Sequence, residues 1–96
     1  MFELEKTFTF EAGHTLTKHD GKCARPHGHS YTMTITLRSG DVQSSGPKVN
    51  MVMDFWDIQT LVQKMIDEHL DHQWLNDSLK CESPTLEFTT KWVYDY

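Results

Sequence analysis

Cys23, His27 and His29 stand at Cys-x-x-x-His-x-His spacing, and His14 lies on the segment before them. Along an extended backbone side chains alternate between faces, so His27 and His29 point the same way and both imidazoles can reach one ion. Zinc suits that geometry. It takes four ligands in a roughly tetrahedral arrangement, and catalytic sites usually draw three from protein and leave the fourth position to water or substrate. His14, His27 and His29 would make such an open site. Cys23 has two readings here: as a fourth ligand it would close the site and make it structural, and as a free thiolate it would serve as nucleophile or base. An isolated His-x-His is more often a solvated strand-end pair, so the weight comes from His14 and Cys23 beside it.

Lys22 and Arg25 flank Cys23, and nearby cations favour the thiolate. Asp71 and His72 follow a helical stretch, in a turn; a carboxylate can raise the basicity of an imidazole that it orients. The bland alternative for that pair is a solvated helix end. His69 falls on an apolar helix face and reads as a packing residue, while His19 has no motif position. Lys18, Lys22 and Arg25 are the local cations available to an anionic substrate.

The elements that must position these residues follow from periodicity. Phe2, Leu4, Phe8 and Phe10 alternate with Glu3, Glu5, Thr7 and Thr9, the period of a strand with one buried face, interrupted at Lys6. From Ala12 to Pro26 the alternation stops and a glycine-containing, charged loop is expected. Tyr31, Met33, Ile35 and Leu37 then alternate with Thr32, Thr34, Thr36 and Arg38 in a second strand. The apolar run Val49 to Met53 has strand length, which suggests an antiparallel meander. Asp54 is placed to cap a helix whose apolar face is Ile58, Leu61, Val62, Met65, Ile66 and His69. Ser83 and Pro84 predict a second helix start, with Glu87 in its first turn and Leu86, Phe88, Thr89, Trp92 and Val93 continuing its face.

Ninety-six residues make one domain, spanning 1–96, and bury only about two thirds of the unfolded surface. Nine Lys and Arg against fourteen Asp and Glu give a net charge of -5, which argues against a sequence-independent grip on nucleic acid or an anionic membrane. No apolar run approaches a membrane span, and the first residues lack the order of a signal peptide, so the chain reads as cytoplasmic. Two cysteines, Cys23 and Cys81, are too few for a disulfide framework; Cys81, in a polar stretch, reads as an inert surface thiol.

Taken in order, Phe8-Thr9-Phe10-Glu11-Ala12-Gly13-His14, Cys23 through Tyr31, Met53-Asp54-Phe55, Leu70-Asp71-His72-Gln73-Trp74-Leu75-Asn76-Asp77 and Ser83-Pro84-Thr85-Leu86-Glu87 resemble the 6-pyruvoyl-tetrahydropterin synthase family. The resemblance covers nearly the whole chain. Within that family, the Cys-x-x-x-His-x-His spacing is similar to the bacterial 6-carboxytetrahydropterin synthases, which feed queuosine biosynthesis. The resemblance implies an α+β tunnelling fold: a four-stranded antiparallel sheet with two helices packed on one face, closed into barrels as trimers and then hexamers. It also implies a lyase acting on 7,8-dihydroneopterin triphosphate, with zinc on His14, His27 and His29 and Cys23 as the catalytic base. Asp71 and His72 would complete the catalytic group from a neighbouring subunit, and Thr85 and Glu87 would contribute to pterin recognition.

The last helix is still running at Tyr96, with no stop signal, so the chain is expected to be truncated and to lack the C-terminal strands of the tunnelling fold. Three readings compete: the lyase, an inactive zinc-binding remnant of the same fold, and a small structural zinc module that uses Cys23 as a ligand.

Overall fold

A computed structural model of the chain describes residues 1–96, with the side chain of Cys23 outside the described set. Strand β1 is Phe2–His14 and β2 is His27–Ser39, paired antiparallel along their whole length, with Phe2 opposite Ser39 and His14 opposite His27. Leu4, Phe8, Phe10 and Ala12 share one face with Leu37, Met33 and Tyr31, and the glutamates and threonines of β1 take the other. The Phe10 and Tyr31 rings, which are cross-strand partners, stack with centroids 4.8 Å apart. Lys6 interrupts the apolar row yet stays on it, its ammonium 5.7 Å from the centroid of the Phe8 ring.

The first strand outruns the expected loop at Ala12, and β2 begins as early as His27. Ala12 and His14 continue the buried alternation of Phe8 and Phe10, but a histidine reads as polar until something makes it worth burying. A short 3-10 turn, Lys22–Ala24, lies between the strands and carries the Cys23 backbone.

Val49 to Met53 is not a strand. Its segment closes as turns, with Asn50 N–H donating to Gln43 C=O and Met51 N–H to Lys48 C=O, and Asn50 adopts a left-handed φ of 67°. Val49 and Met51 stay exposed, and of the apolar run only Met53 packs against the core. The third strand is instead β3, Gln73–Trp74, parallel to β1 on the edge away from β2, which gives the order β2-β1-β3 and replaces the expected meander. Gly13 permits that docking: a Cβ there would stand 3.1 Å from the Trp74 ring.

Helix α1 spans Phe55–Met65, and its Asp54 cap accepts from Trp56 N–H at 2.8 Å. It runs directly into a π turn, Ile66–Leu70, closed by Asp71 N–H donating to Ile66 C=O five residues back. Ile58, Met65, Ile66 and Leu70 meet Phe8, Phe10 and Ala12 in the core, while Leu61, expected on that face, is exposed. His69 packs against the rings of Trp92 and Tyr96, in the expected packing role.

After β3 comes the one-turn helix α2, Leu75–Ser78, held by the fully buried Leu75. Helix α3 spans Leu86–Asp95 and is capped by Thr85, two residues later than the Ser83 start read from sequence. Pro84 is buried ahead of the helix instead of opening it, and Thr89, Trp92 and Val93 form the packed side of α3. The architecture is α+β, with helices on one face of the sheet. Among the described residues, no helix is long and apolar enough to cross a membrane.

Candidate metal centre

Register alone brings the three histidines together. His14 and His27 are direct cross-strand partners, and His29, two residues along β2 on the same face, sits opposite Ala12, whose methyl group leaves room for an imidazole. The pairwise ring centroids are 4.5 Å (His14 and His27), 5.0 Å (His14 and His29) and 4.7 Å (His27 and His29). One nitrogen of each ring lies within 4.8 Å of the others. The cluster continues the core face of the hairpin toward its loop end: His14 is buried, His27 half-buried and His29 exposed.

The tautomers follow from what each ring touches. His14 Nδ1 lies 2.9 Å from Pro84 C=O, and His27 Nδ1 lies 2.7 Å from Arg25 C=O. A carbonyl can only accept, so both Nδ1 atoms carry hydrogen and both Nε2 atoms present lone pairs. Those two Nε2 atoms face each other at 2.9 Å. Two lone pairs at that distance repel, and only a proton or a metal cation between them removes the conflict. Burial holds the His14 imidazole below the ordinary histidine range, and the neighbouring His27 and His29 add to that effect against the opposing Pro84 hydrogen bond. The proton is therefore disfavoured. A cation bound by neutral imidazoles, each oriented through its other nitrogen by a carbonyl, fits this donor set.

Asp71 and His72 form a separate unit. Asp71 accepts from Glu11 N–H at 2.9 Å, and His72 N–H donates to Glu11 C=O at 2.5 Å, so the pair is fastened to β1 through the backbone of one residue. His72 adopts a left-handed φ of 56°, and its Nδ1 comes within 2.9 Å of the Asp71 carboxylate. Adjacent residues thus do pair. The Glu11 N–H, and then His72, hold the Asp71 carboxyl below its usual range; hydrogen bonding to Asp71 pushes His72 above its own.

The His72 side chain projects into solvent at 80% exposure and lines an open depression together with His29, Glu11, Gly28, Ser30 and Trp74. Among the described residues, no hydrogen bond joins this pair to the three histidines. Ser30 donates to the Glu11 carboxylate at 2.8 Å on the same side.

Thr85 follows Pro84, so the acceptor for His14 and the start of α3 are neighbours in the chain. The Thr85 hydroxyl accepts from Phe88 N–H at 3.1 Å, which is the helix-cap role, and Glu87 lies exposed in the first turn. Lys18, Lys22 and Arg25 are all exposed. The Cys23 side chain, expected to be the base, lies outside the described residues. Sequence reading did not find the Pro84 and Arg25 carbonyls. Backbone acceptors leave no residue-type signature, and a proline before a helix reads first as a helix start.

Comparison with known proteins agrees with the geometry. Residues 3–96 match the family described as 6-pyruvoyl tetrahydropterin synthase. A Synechocystis protein named 6-carboxy-5,6,7,8-tetrahydropterin synthase is 42% identical over 98% of this chain and 73% of its own length. A Haemophilus influenzae protein of the same name is 43% identical over 80% of this chain, which spans 54% of that relative. The structure of 6-pyruvoyl tetrahydropterin synthase from Caenorhabditis elegans superposes with a TM-score of 0.80 at 26% identity, covering 98% of this chain and 74% of that one. A hairpin that converges three imidazoles, on a chain matched almost end to end, makes this a member of the 6-pyruvoyl tetrahydropterin synthase family of pterin enzymes.

Proposed function

We propose that the chain is a zinc-dependent lyase that converts 7,8-dihydroneopterin triphosphate to 6-carboxytetrahydropterin, in the route to queuosine. The observation that carries the metal assignment is the pair of Nε2 lone pairs of His14 and His27 facing each other at 2.9 Å, each ring fixed by a carbonyl on its far side. The choice of reaction is supported by the relatives that are 42% and 43% identical and carry the 6-carboxytetrahydropterin synthase name.

His14, His27 and His29 would hold the zinc, which would supply Lewis acidity toward a substrate hydroxyl oxygen and so acidify the adjoining carbon. Cys23, flanked in sequence by Lys22 and Arg25, is the base that takes the carbon-bound proton. His72 carries a proton on Nδ1, held toward Asp71, and exchanges protons with substrate through Nε2. Its exposure supports a role at a neighbouring copy's centre, in a homo-oligomer of trimers or hexamers. Thr85 and Glu87, at the start of α3 next to Pro84, take the pterin ring, with the Glu87 carboxylate accepting ring N–H groups. The setting is cytoplasmic, with no nucleic acid or membrane partner.

The test is product analysis of purified protein supplied with dihydroneopterin triphosphate, with and without zinc. Zinc-dependent 6-carboxytetrahydropterin is expected. A 6-pyruvoyl product would move the chain to the activity carried in the name of the Caenorhabditis elegans structure. Zinc binding without turnover would favour an inactive metal-binding remnant. Cysteine alkylation with zinc bound separates the structural alternative, since a ligand thiolate is protected and a catalytic one reacts.

A further inference from the structure

We propose that Asn76 is a positioning residue of the three-histidine centre, clasping the chain just after His14 to the chain just before Pro84. The inference rests on the reading of those histidines as a metal site. Asn76 stands in α2, which the fully buried Leu75 fixes in the core. Its carboxamide pairs with the main chain of Thr15 in both directions: Thr15 N–H donates to Oδ1 at 2.9 Å, and Nδ2 donates to Thr15 C=O at 2.9 Å. Nδ2 also donates to Glu82 C=O at 3.1 Å.

The amide orientation is not arbitrary. One end meets a backbone N–H and the other meets two carbonyls, so oxygen must face the first and nitrogen the second. Both N–H donors of the side chain are used.

Each end of the clasp lies next to one partner of a single hydrogen bond. Thr15 follows His14, and Glu82 precedes Pro84 by two residues, so the clasp fixes the separation across which His14 Nδ1 donates to Pro84 C=O. Thr17 strengthens the same junction, its hydroxyl donating to Glu82 C=O at 3.0 Å. The Thr15 hydroxyl donates to Ala24 C=O at 2.6 Å, which extends the hold to the turn that carries Cys23. Without the clasp, the Pro84 carbonyl is free to leave Nδ1, and His14 is free to take the other tautomer, which offers no lone pair at Nε2. Aspartate cannot substitute, because it would aim a carboxylate oxygen at two carbonyls.

The experiment compares Asn76→Asp and Asn76→Ala with the unaltered chain. It uses zinc competition against a chelator, and long-range proton–nitrogen spectra of His14 in the metal-free protein. Both variants should bind zinc about 10- to 100-fold more weakly, as with other residues that orient ligands. In both, His14 should lose its fixed Nδ1–H tautomer. Ile58→Val, a core change on α1 away from the centre, should leave zinc affinity within about twofold of the unaltered chain. Unchanged affinity and tautomer in either folded Asn76 variant would overturn the proposal, as would an equal loss in Ile58→Val.

Should neither Asn76 variant fold, the unaltered protein decides. Coupling is reciprocal, so zinc should slow exchange of the Asn76 side-chain amide protons, and unaltered exchange would refute the clasp. If the unaltered chain binds no zinc, the metal reading fails on its own, while the metal-free His14 tautomer still tests Asn76.

Discussion

His14 Nε2 and His27 Nε2 face each other at 2.9 Å while the Nδ1 atoms of both rings donate to backbone carbonyls, of Pro84 and Arg25 respectively. Lone pairs on those two Nε2 nitrogens repel, and a cation held between them removes the repulsion. Zinc at 100 times its dissociation constant should raise the unfolding free energy by about 2.7 kcal/mol, and a chelator should reverse the gain. His27→Ala should unfold at the same temperature with zinc or with chelator. Differential scanning calorimetry of both proteins checks this, and a zinc-induced rise in His27→Ala equal to that of the parent would dismiss the three-histidine centre.

Acid should weaken the metal-free fold through His14. Its folded value is depressed, chiefly by burial, from the ordinary 6.5, so between the two values the unfolded chain binds the extra proton and the native chain does not. The His14 contribution is thus complete above pH 6.5 and declines as pH falls toward the folded value. Urea unfolding of chelator-treated protein between neutral and mildly acidic pH should show this decline, and His14→Ala should flatten that part of the profile. Equal slopes in the two proteins would contradict the assignment.

The Asp71 and His72 pair should have the opposite sign on its histidine side. His72 is raised by Asp71, so its stabilising contribution is complete below the ordinary 6.5 and fades as pH climbs through the higher folded value. The carboxylate, lowered mainly by the Glu11 N–H, contributes above its ordinary 3.8 and fades on acidification through the lower folded value. NMR titration should find His72 above the ordinary range, and Asp71→Asn should bring it back down without affecting zinc affinity. A His72 titration indifferent to Asp71→Asn would show that the 2.9 Å contact is not maintained in solution.

Much of this arrangement is legible in residue order, and the remainder is illegible for definite reasons. Alternation over Phe2 to Phe10 and Tyr31 to Leu37 identifies the hairpin, and the spacing of His27 and His29 identifies two candidate ligands on one face. The spacing cannot show that β1 extends to His14, because burial of a histidine follows from the cluster that it joins. Val49 to Met53 carries strand-like composition but has no partner edge, whereas Gln73 and Trp74, only two residues long, gain one through Gly13 and the π turn that delivers them. The Ser83 and Pro84 pair has the composition of a helix start, yet Thr85 caps the helix because Pro84 is drawn into the core with its carbonyl on His14. Ligand identity therefore travels with residue type, and ligand orientation travels with backbone contacts that emerge only on folding.

At the start of α3, two neighbouring residues should separate into different roles. The Thr85 hydroxyl accepts from Phe88 N–H and keeps its own O–H free to donate, so Thr85→Ala should cost about 1 kcal/mol of stability, and Thr85→Ser, which keeps the cap, should restore it. Glu87 is exposed, and no stability depends on it beyond a dipole contribution of about 0.3–1 kcal/mol in the first turn. If its carboxylate accepts the pterin N–H groups, Glu87→Gln should raise KM while stability stays within that range, because a carboxamide replaces one of two acceptor oxygens with a donor. Denaturant unfolding and steady-state kinetics on the three variants separate the effects. Activity lost in Thr85→Ala and regained in Thr85→Ser would assign the hydroxyl to the cap or to a contact that serine also makes, and unchanged KM in Glu87→Gln would remove Glu87 from pterin recognition.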